Sequence, residues 1–382
     1  MNEYRDWLRL ILTPGLGPRS AQALLSAFGM PDQILAAPRS LLAEVVGPRL
    51  AAVMQAPVDE EALTRNLHWL AQPGRHLLTL ADDRYPRALL DIHDPPIALF
   101  AHGRLELLDR VALGVVGSRH PSAQGLAIAE SFARCIAGHD ITIVSGLAWG
   151  IDAAAHRGAL RSRGSTIAVM ATGPDQVYPS GHRALAEQIR REGLIVTECS
   201  VGTSPIKGQF VRRNRLIAGL SSGVLVVEAA LDSGSLTTAR QAAEQGREVF
   251  AVPGSIHSPT SRGCHALIRE GAKLVDDARL VLEELPRPAQ RRTPDPRPDS
   301  SDSEPGTGAA ADHRTAAADG QQAAHGTPHE QVFAHIGFEP VTPDMLCLQT
   351  RLTPDMVSAM LTLLEIEGRI RAVAGGAWQR TP

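Results

Sequence analysis

Lysine is almost missing from this chain of 382 residues: of its 38 basic side chains only Lys207 and Lys273 are lysines. So strong an arginine bias reads as genome composition, and no single arginine marks a site by itself. Cysteine is equally sparse. Cys135, Cys199, Cys264 and Cys347 are scattered without a C-x-x-C pair, a pattern that suggests neither a disulfide framework nor a zinc site and reads as ordinary buried thiols. No apolar run reaches the roughly 18 to 20 residues needed to span a bilayer. The opening MNEYRDWLRLILTPG carries acids and a Trp where a signal peptide has a basic stretch. A cytoplasmic protein without membrane contact is expected. Positive charge is not in excess either: the formal net charge is −3, whereas a nucleic-acid binder usually presents a basic domain, so any such role must rest on local clustering.

What is present is ample core material. A chain with 43% hydrophobic and 21% charged residues can bury a large interior and divides into two or three domains. Residues 1–72 carry apolar side chains at helical spacing (Trp7, Leu8, Leu10, Ile11, then Ala21, Leu24, Leu25, Phe28), broken by the turn from Thr13 to Pro18. This predicts a small all-α domain. The stretch LTPGLGPRSAQALLSAFG, with an echo at Val46-Gly47-Pro48-Arg49, has the form of a helix-hairpin-helix. Such a turn either aims backbone N–H groups at a phosphate or is a plain packing unit.

Over 73–285 the pattern changes to short β-branched runs alternating with helical ones. Strands are predicted at Val111–Val116, Ile141–Val144, Ile167–Ala171, Ile195–Thr197, Val224–Val227 and Val249–Val252, with helices at Ala123–Ala137, Ile151–Arg161, Arg183–Arg191 and Leu236–Gln245. That alternation specifies an α/β fold: an extended Rossmann-like, doubly wound, mostly parallel sheet. Residues 286–328, rich in Pro, Ala, Ser, Asp and Gly, read as a disordered linker. Residues 329–382 then give helices at Glu330–Ile336, Pro343–Leu348 and Pro354–Glu367, followed by a Gly-turned hairpin over Arg369–Val373 and Trp378–Arg380. Three helices and a hairpin make a C-terminal winged helix, used for DNA or for protein contacts.

Several constellations fall at the carboxyl edge of the predicted sheet, where α/β folds bind ligands. The first core strand ends in Gly117-Ser118-Arg119, and the second runs through Gly146 to Gly150 into SGLAWGIDAAAH. Neither is a dinucleotide fingerprint. The spacing is not G-x-G-x-x-G, and the second strand ends in Ser145-Gly146 rather than an acid for a ribose. No G-x-x-x-x-G-K-[ST] occurs, which disfavours a P-loop ATPase. The densest local charge is Lys207-Gly208-Gln209-Phe210-Val211-Arg212-Arg213-Asn214-Arg215, four cations around one aromatic. Cations for phosphates and a ring for a base are what an unpaired strand needs. The plain alternative is ion-paired arginines on a solvated helix, Phe210 in the core, and Arg213 or Arg215 turned inward. A further turn, Ser233-Gly234-Ser235, is either another anion seat or a well-capped helix start.

An enzymatic reading is also available on this fold. Asp152 and His156 are four residues apart on one helix face, and Glu198 and Glu228 end strands, so a nucleotide-binding or nucleotide-cleaving enzyme is conceivable. The structural alternative for the first pair is an Asp in a first helical turn and a His satisfied by packing. A third reading makes the core a protein-interaction platform, with DNA contacts left to the end domains.

Taken in order, these segments resemble the DprA/Smf family of DNA-processing proteins. The words that carry the resemblance are Tyr85-Pro86 with Pro95-Pro96, GSR at 117–119, SGLAWGIDAAAH at 145–156, Gly173 with Asp175 and Tyr178-Pro179, RNRLIAGLS at 213–221, VVEA at 226–229, SGSL at 233–236 and GREVFAVPG at 246–254. They span about residues 75–285; the helical N-terminus and the winged helix match optional additions of the family. The resemblance implies a Rossmann-like homodimer that holds single-stranded DNA and hands it to RecA in natural transformation and recombination. It implies no cofactor, no metal and no catalytic residue. Its site candidates are Gly117, Ser118, Arg119, Gly146, Lys207, Gln209, Phe210, Arg212, Arg213, Asn214, Ser233, Gly234 and Ser235, with Arg119 and Lys207 neutralising phosphates, glycine turns supplying N–H donors and Phe210 stacking a base. The sequence departs from the family pattern at His182 and His265 (often Asn), Val211 (often Pro) and Thr237 (often Ile). Losing Pro at 211 frees a backbone torsion and puts the conformation of the basic loop in question.

Overall fold

Short apolar strands come together in one nine-stranded sheet, seen in a computed structural model that describes residues 2–162, 165–286, 328–338, 340–373 and 376–381. In chain order the strands are β1 (Arg75–Thr79), β2 (Ala98–Gly103), β3 (Ala112–Val116), β4 (Thr142–Ser145), β5 (Thr166–Val169), β6 (Leu194–Thr197), β7 (Gly223–Val226), β8 (Glu248–Ala251) and β9 (Lys273–Leu274). They lie side by side as β1-β2-β6-β5-β4-β3-β7-β8-β9. From β6 to β9 every pair is parallel, and β2 joins β1 and β6 antiparallel.

The six predicted core strands are β3 to β8, each within a residue or two of its expected bounds. β1, β2 and β9 were not anticipated. RHLLT and ALFAHG carry little β-branched character, and β9 has only two residues.

The chain leaves β3 through β4, β5 and β6 on one side, then returns to lay β7 on the other flank of β3. The order of strands therefore reverses between β3 and β7. At such a point the loops after the two neighbouring strands diverge to opposite faces and open a crevice. Side-chain alternation builds a core on each face. Leu113, Val115, Ile143, Leu225 and Phe250 meet Ala129, Phe132 and Ala133 of helix Ala123–Ala137 and Ala154, Ala155 and Ala159 of helix Ile151–Leu160. On the opposite face Val116, Val144, Val224 and Val226 meet Leu216 and Ile217 of helix Lys207–Gly219 and Leu236, Ala239 and Ala242 of helix Gly234–Glu244. The protein is thus doubly wound.

Six short helices precede the sheet: Asn2–Leu12, Pro18–Phe28, Pro31–Ala36, Arg39–Val46, Pro48–Met54 and Glu60–Leu70. Gly15 (φ +81°) and Gly47 (φ +82°) supply the left-handed turns of the two expected hairpins. Trp7, Leu10, Leu24, Ile34 and Leu63 share one core with Leu77, Ile97 and Phe100 of the sheet's antiparallel margin. The buried Asn66 Oδ1 also accepts from the Val201 N–H at 2.9 Å.

The expected linker lies, but for its ends, outside the described residues. Beyond it, helices Pro328–His335, Pro343–Thr350 and Pro354–Ile366 and the hairpin β10 (Ile370–Val373) and β11 (Ala377–Arg380) form the winged helix, around Val332, Ile336, Leu346, Val357, Leu361 and Leu364. Pro at the first helical position and the Thr353 hydroxyl accepting from the Met356 N–H start its third helix. No helix among the described residues is long and apolar enough to cross a membrane.

Candidate nucleic-acid interface

The crevice between β3 and β7 is an open pocket of about 680 Å³, large enough for a nucleotide-sized ligand. Its walls are the loop after β3 (Gly117, Ser118, Arg119), the loop after β7 (Ala230, Asp232 to Ser235) and the first turns of helix Lys207–Gly219 (Lys207, Phe210, Asn214).

Backbone crowding fixes this geometry. A β-carbon at Gly117 would fall 2.6 Å from Ile151 Cγ1, and one at Gly150 (φ +78°) would fall 2.3 Å from the Ser118 carbonyl. Only glycine lets the turn after β4 seat against the loop after β3. The Ser118 N–H donates to the Glu228 carbonyl (2.6 Å), the Ile151 N–H to the Ser118 carbonyl (3.1 Å), and the Ser235 hydroxyl to the Gly117 carbonyl (2.8 Å). Ser233 caps helix Gly234–Glu244 by accepting from the Ser235 N–H. Three loops are thereby held as one rim.

Two cations face the pocket. Arg119 and Lys207 are exposed and line it, and among the described residues neither has a carboxylate within ion-pair distance. The Arg119 guanidinium lies 5.8 Å from the centroid of the Phe210 ring, within cation–π range. Phe210 meets Tyr178 edge-on at 5.5 Å. Tyr178 is half exposed and also lines the pocket. In the sequence Tyr178 stands out only within a word of the family resemblance, although a ring beside a proline in a loop after a strand is a signal of its own. Val211 does not disturb the segment: helix Lys207–Gly219 runs unbroken through it.

The basic cluster does not act as a unit. Arg213 is 4% exposed, its Nη1 donates to the Val169 carbonyl at 2.8 Å, and burial brings its pKa down to about 10. Arg212 and Arg215 both pair with Glu198 Oε2 (3.2 and 2.5 Å), and Arg215 also reaches Asp94 at 3.0 Å. Arg212 and Gln209 line a second, smaller cavity with Glu198 and with Leu16, Gly17 and Pro18 of the N-terminal hairpin. That hairpin turn therefore faces the core. Gly146 also leaves the expected set: it is buried, and its N–H donates to Asp152 Oδ2 (3.1 Å) instead of opening to the pocket. Gly117, Ser118, Arg119, Lys207, Phe210, Arg213, Asn214, Ser233, Gly234 and Ser235 are brought together, with Arg213 as floor; Gly146, Gln209 and Arg212 are not.

The four acid/base candidates of the enzymatic reading, Asp152, His156, Glu198 and Glu228, each have a partner within the fold. His156 is fully buried; its Nδ1 pairs with Thr166 Oγ1 (2.7 Å), whose own proton goes to the Ile143 carbonyl. Nδ1 is therefore the protonated nitrogen, and Nε2 accepts from the Leu147 N–H at 3.3 Å. Burial, reinforced by His182 and Arg213, lowers its pKa to about 3. Asp152 Oδ2 accepts from the Gly146 and Ala148 N–H groups; burial pushes its carboxyl up and Arg213 pulls it back. Glu198 is held by its two arginines, and Glu228 accepts from the N–H and hydroxyl of Ser122 at 2.9 and 2.5 Å.

A doubly wound sheet with a cation-bearing, aromatic-walled crevice at its switch point places the chain among the Rossmann-like α/β proteins. The family model described as DNA recombination-mediator protein A matches residues 76–286, and that of the DprA winged helix domain matches 316–376. The chain belongs to the DprA/Smf family of DNA-processing proteins. Protein Smf of Escherichia coli K12 is 41% identical over 318 residues, 83% of this chain and 80% of that protein. The DNA processing protein DprA of Streptococcus pneumoniae is 49% identical over 54% of this chain and 73% of that protein. Its X-ray structure superposes with a TM-score of 0.67 at 38% identity, covering 74% of this chain and 98% of that one. DNA processing protein A of Helicobacter pylori, whose single-stranded DNA binding mode has been described structurally, gives a TM-score of 0.50 at 30% identity over 55% of this chain and 94% of that one.

Proposed function

We propose that this protein binds single-stranded DNA in the crevice between β3 and β7, protects it and delivers it to RecA without performing chemistry on it. The observation that carries the reading is the placement of Arg119 and Lys207, exposed and without a carboxylate partner among the described residues, on one pocket with the rings of Phe210 and Tyr178. Cations meet the backbone phosphates and rings meet bases, a combination that accepts any sequence. The single-stranded DNA binding mode of the Helicobacter pylori relative supports it.

In this reading the helical unit (1–72), the core (73–285) and the winged helix (329–382) work in the cytoplasm. The core forms a homodimer, and neither cofactor nor metal takes part. The nucleotide-cleaving alternative has no observation in its favour: Asp152, His156, Glu198 and Glu228 each have a structural partner.

The test is Arg119→Glu, with binding to a fluorescent oligothymidylate read by anisotropy. Reversing one of the two cations is expected to weaken binding by a hundredfold or more at low salt. Affinity equal to that of the unaltered protein would remove the pocket from the account.

A further inference from the structure

The Phe, Tyr and Trp side chains are, with two exceptions, buried or partly buried among the described residues. Trp149 and Tyr178, at 50% and 49%, are the only two of these rings among the described residues that stand half in solvent. Tyr178 belongs to the pocket already described. Trp149 lies just outside it, on the turn between β4 and helix Ile151–Leu160, between Ala148, which lines the pocket, and Gly150, which packs on the backbone of Ser118 and Arg119.

The ring is held in place. A β-carbon at Gly181 would come 2.6 Å from Trp149 Cη2, so the six-membered ring rests directly on that glycine. His182 meets the indole edge-on at 4.1 Å between centroids, and its own Nδ1 is anchored to the Leu147 carbonyl at 2.9 Å. The turn is equally fixed, through the Ile151 N–H on the Ser118 carbonyl and the Ala148 N–H on Asp152. The largest apolar ring type is thus clamped on one flank and left to solvent on the other, beside the phosphate-facing Arg119. Exposing indole surface is unfavourable.

We infer that Trp149 is a second base-stacking platform, taking the nucleobase of an unpaired strand that runs out of the crevice past Arg119 along the loop after β4. The inference rests on the single-strand reading above and extends the site beyond the pocket. A fixed ring stacks a base at low entropic cost, and every base offers a π-face.

Tryptophan fluorescence of the full-length protein reads this directly. Trp7 and Trp69 are buried and Trp378 is half-buried on the winged helix, so Trp149 is the exposed reporter. Oligothymidylate is expected to quench the wild-type signal, and an abasic phosphodiester of equal length to bind without that quench. Trp149→Ala should lose the quench and about tenfold in affinity, whereas Trp149→Phe, which keeps a ring, should lose the quench but stay within about threefold of wild type. Salt-sensitive binding with Trp149→Ala as tight as wild type, or a quench that persists in that variant, overturns this inference and leaves the single-strand reading intact. A Trp149→Ala protein that changes its self-association and not its affinity overturns it too, by making the ring a protein contact. Wild-type protein that binds neither probe overturns both.

Discussion

The Arg213 guanidinium occupies the space where a side chain at Gly146 would begin: a β-carbon there would sit 1.6 Å from Nη1. The glycine after β4 serves a buried cation, and that cation, with the N–H groups of Gly146 and Ala148, supports the buried Asp152 carboxylate beneath the pocket. Gly146→Ala should therefore cost about 1 to 3 kcal/mol of stability through overpacking, read by chemical denaturation. Unchanged stability would mean that Arg213 is not seated there.

His156 makes stability depend on pH in a defined window. Burial holds its folded pKa at about 3, below the ordinary histidine value of 6.5, so between these values the unfolded chain takes up a proton that the fold refuses. This contribution is intact above about pH 6.5 and is lost as pH falls toward 3. Against wild type, His156→Gln should show a slope of unfolding free energy with pH that is smaller by up to about 1.4 kcal/mol per pH unit inside the window. Parallel curves would show His156 already protonated or exposed.

Stacking and charge separate in their salt dependence. Phe210→Ala should lose about tenfold in affinity for oligothymidylate while the slope of log affinity against log salt stays as in wild type, because no phosphate contact is removed. A shallower slope would show that Phe210 acts by positioning Arg119 rather than by meeting a base.

Much of this was legible in the chain before any coordinates. β3 to β8 announce themselves as buried β-branched runs, and helix Ala123–Ala137 falls on its predicted residues. The crevice follows from topology, since two strand-to-helix turns rich in small residues must flank the switch point. What sequence does not give is the rotation of helix Lys207–Gly219. Arg212, Arg213 and Arg215 look alike in a string, yet one is exposed and paired with Glu198, one is buried under the pocket and one is buried between Glu198 and Asp94. The acceptors that decide this come from β5, the loop after β6 and the loop before β2, far along the chain. Trp149 is hidden for another reason: whether an indole in a turn is buried or exposed depends on neighbours such as Gly181 and His182 that lie far along the chain.

The central claim is that two cations at the switch point meet the backbone of an unpaired strand. The most direct measurement is affinity for oligothymidylate against salt, with duplex of the same length alongside, for wild type and for Arg119→Ala/Lys207→Ala. If about 3 to 5 phosphates are neutralised per protomer, the wild-type slope should be about −2 to −3.5, and the double variant should be shallower by about 1.4. Single strands should bind more tightly than duplex throughout, since only they offer bare bases to Phe210 and Tyr178. Equal slopes for the two proteins, or a preference for duplex, would contradict the account.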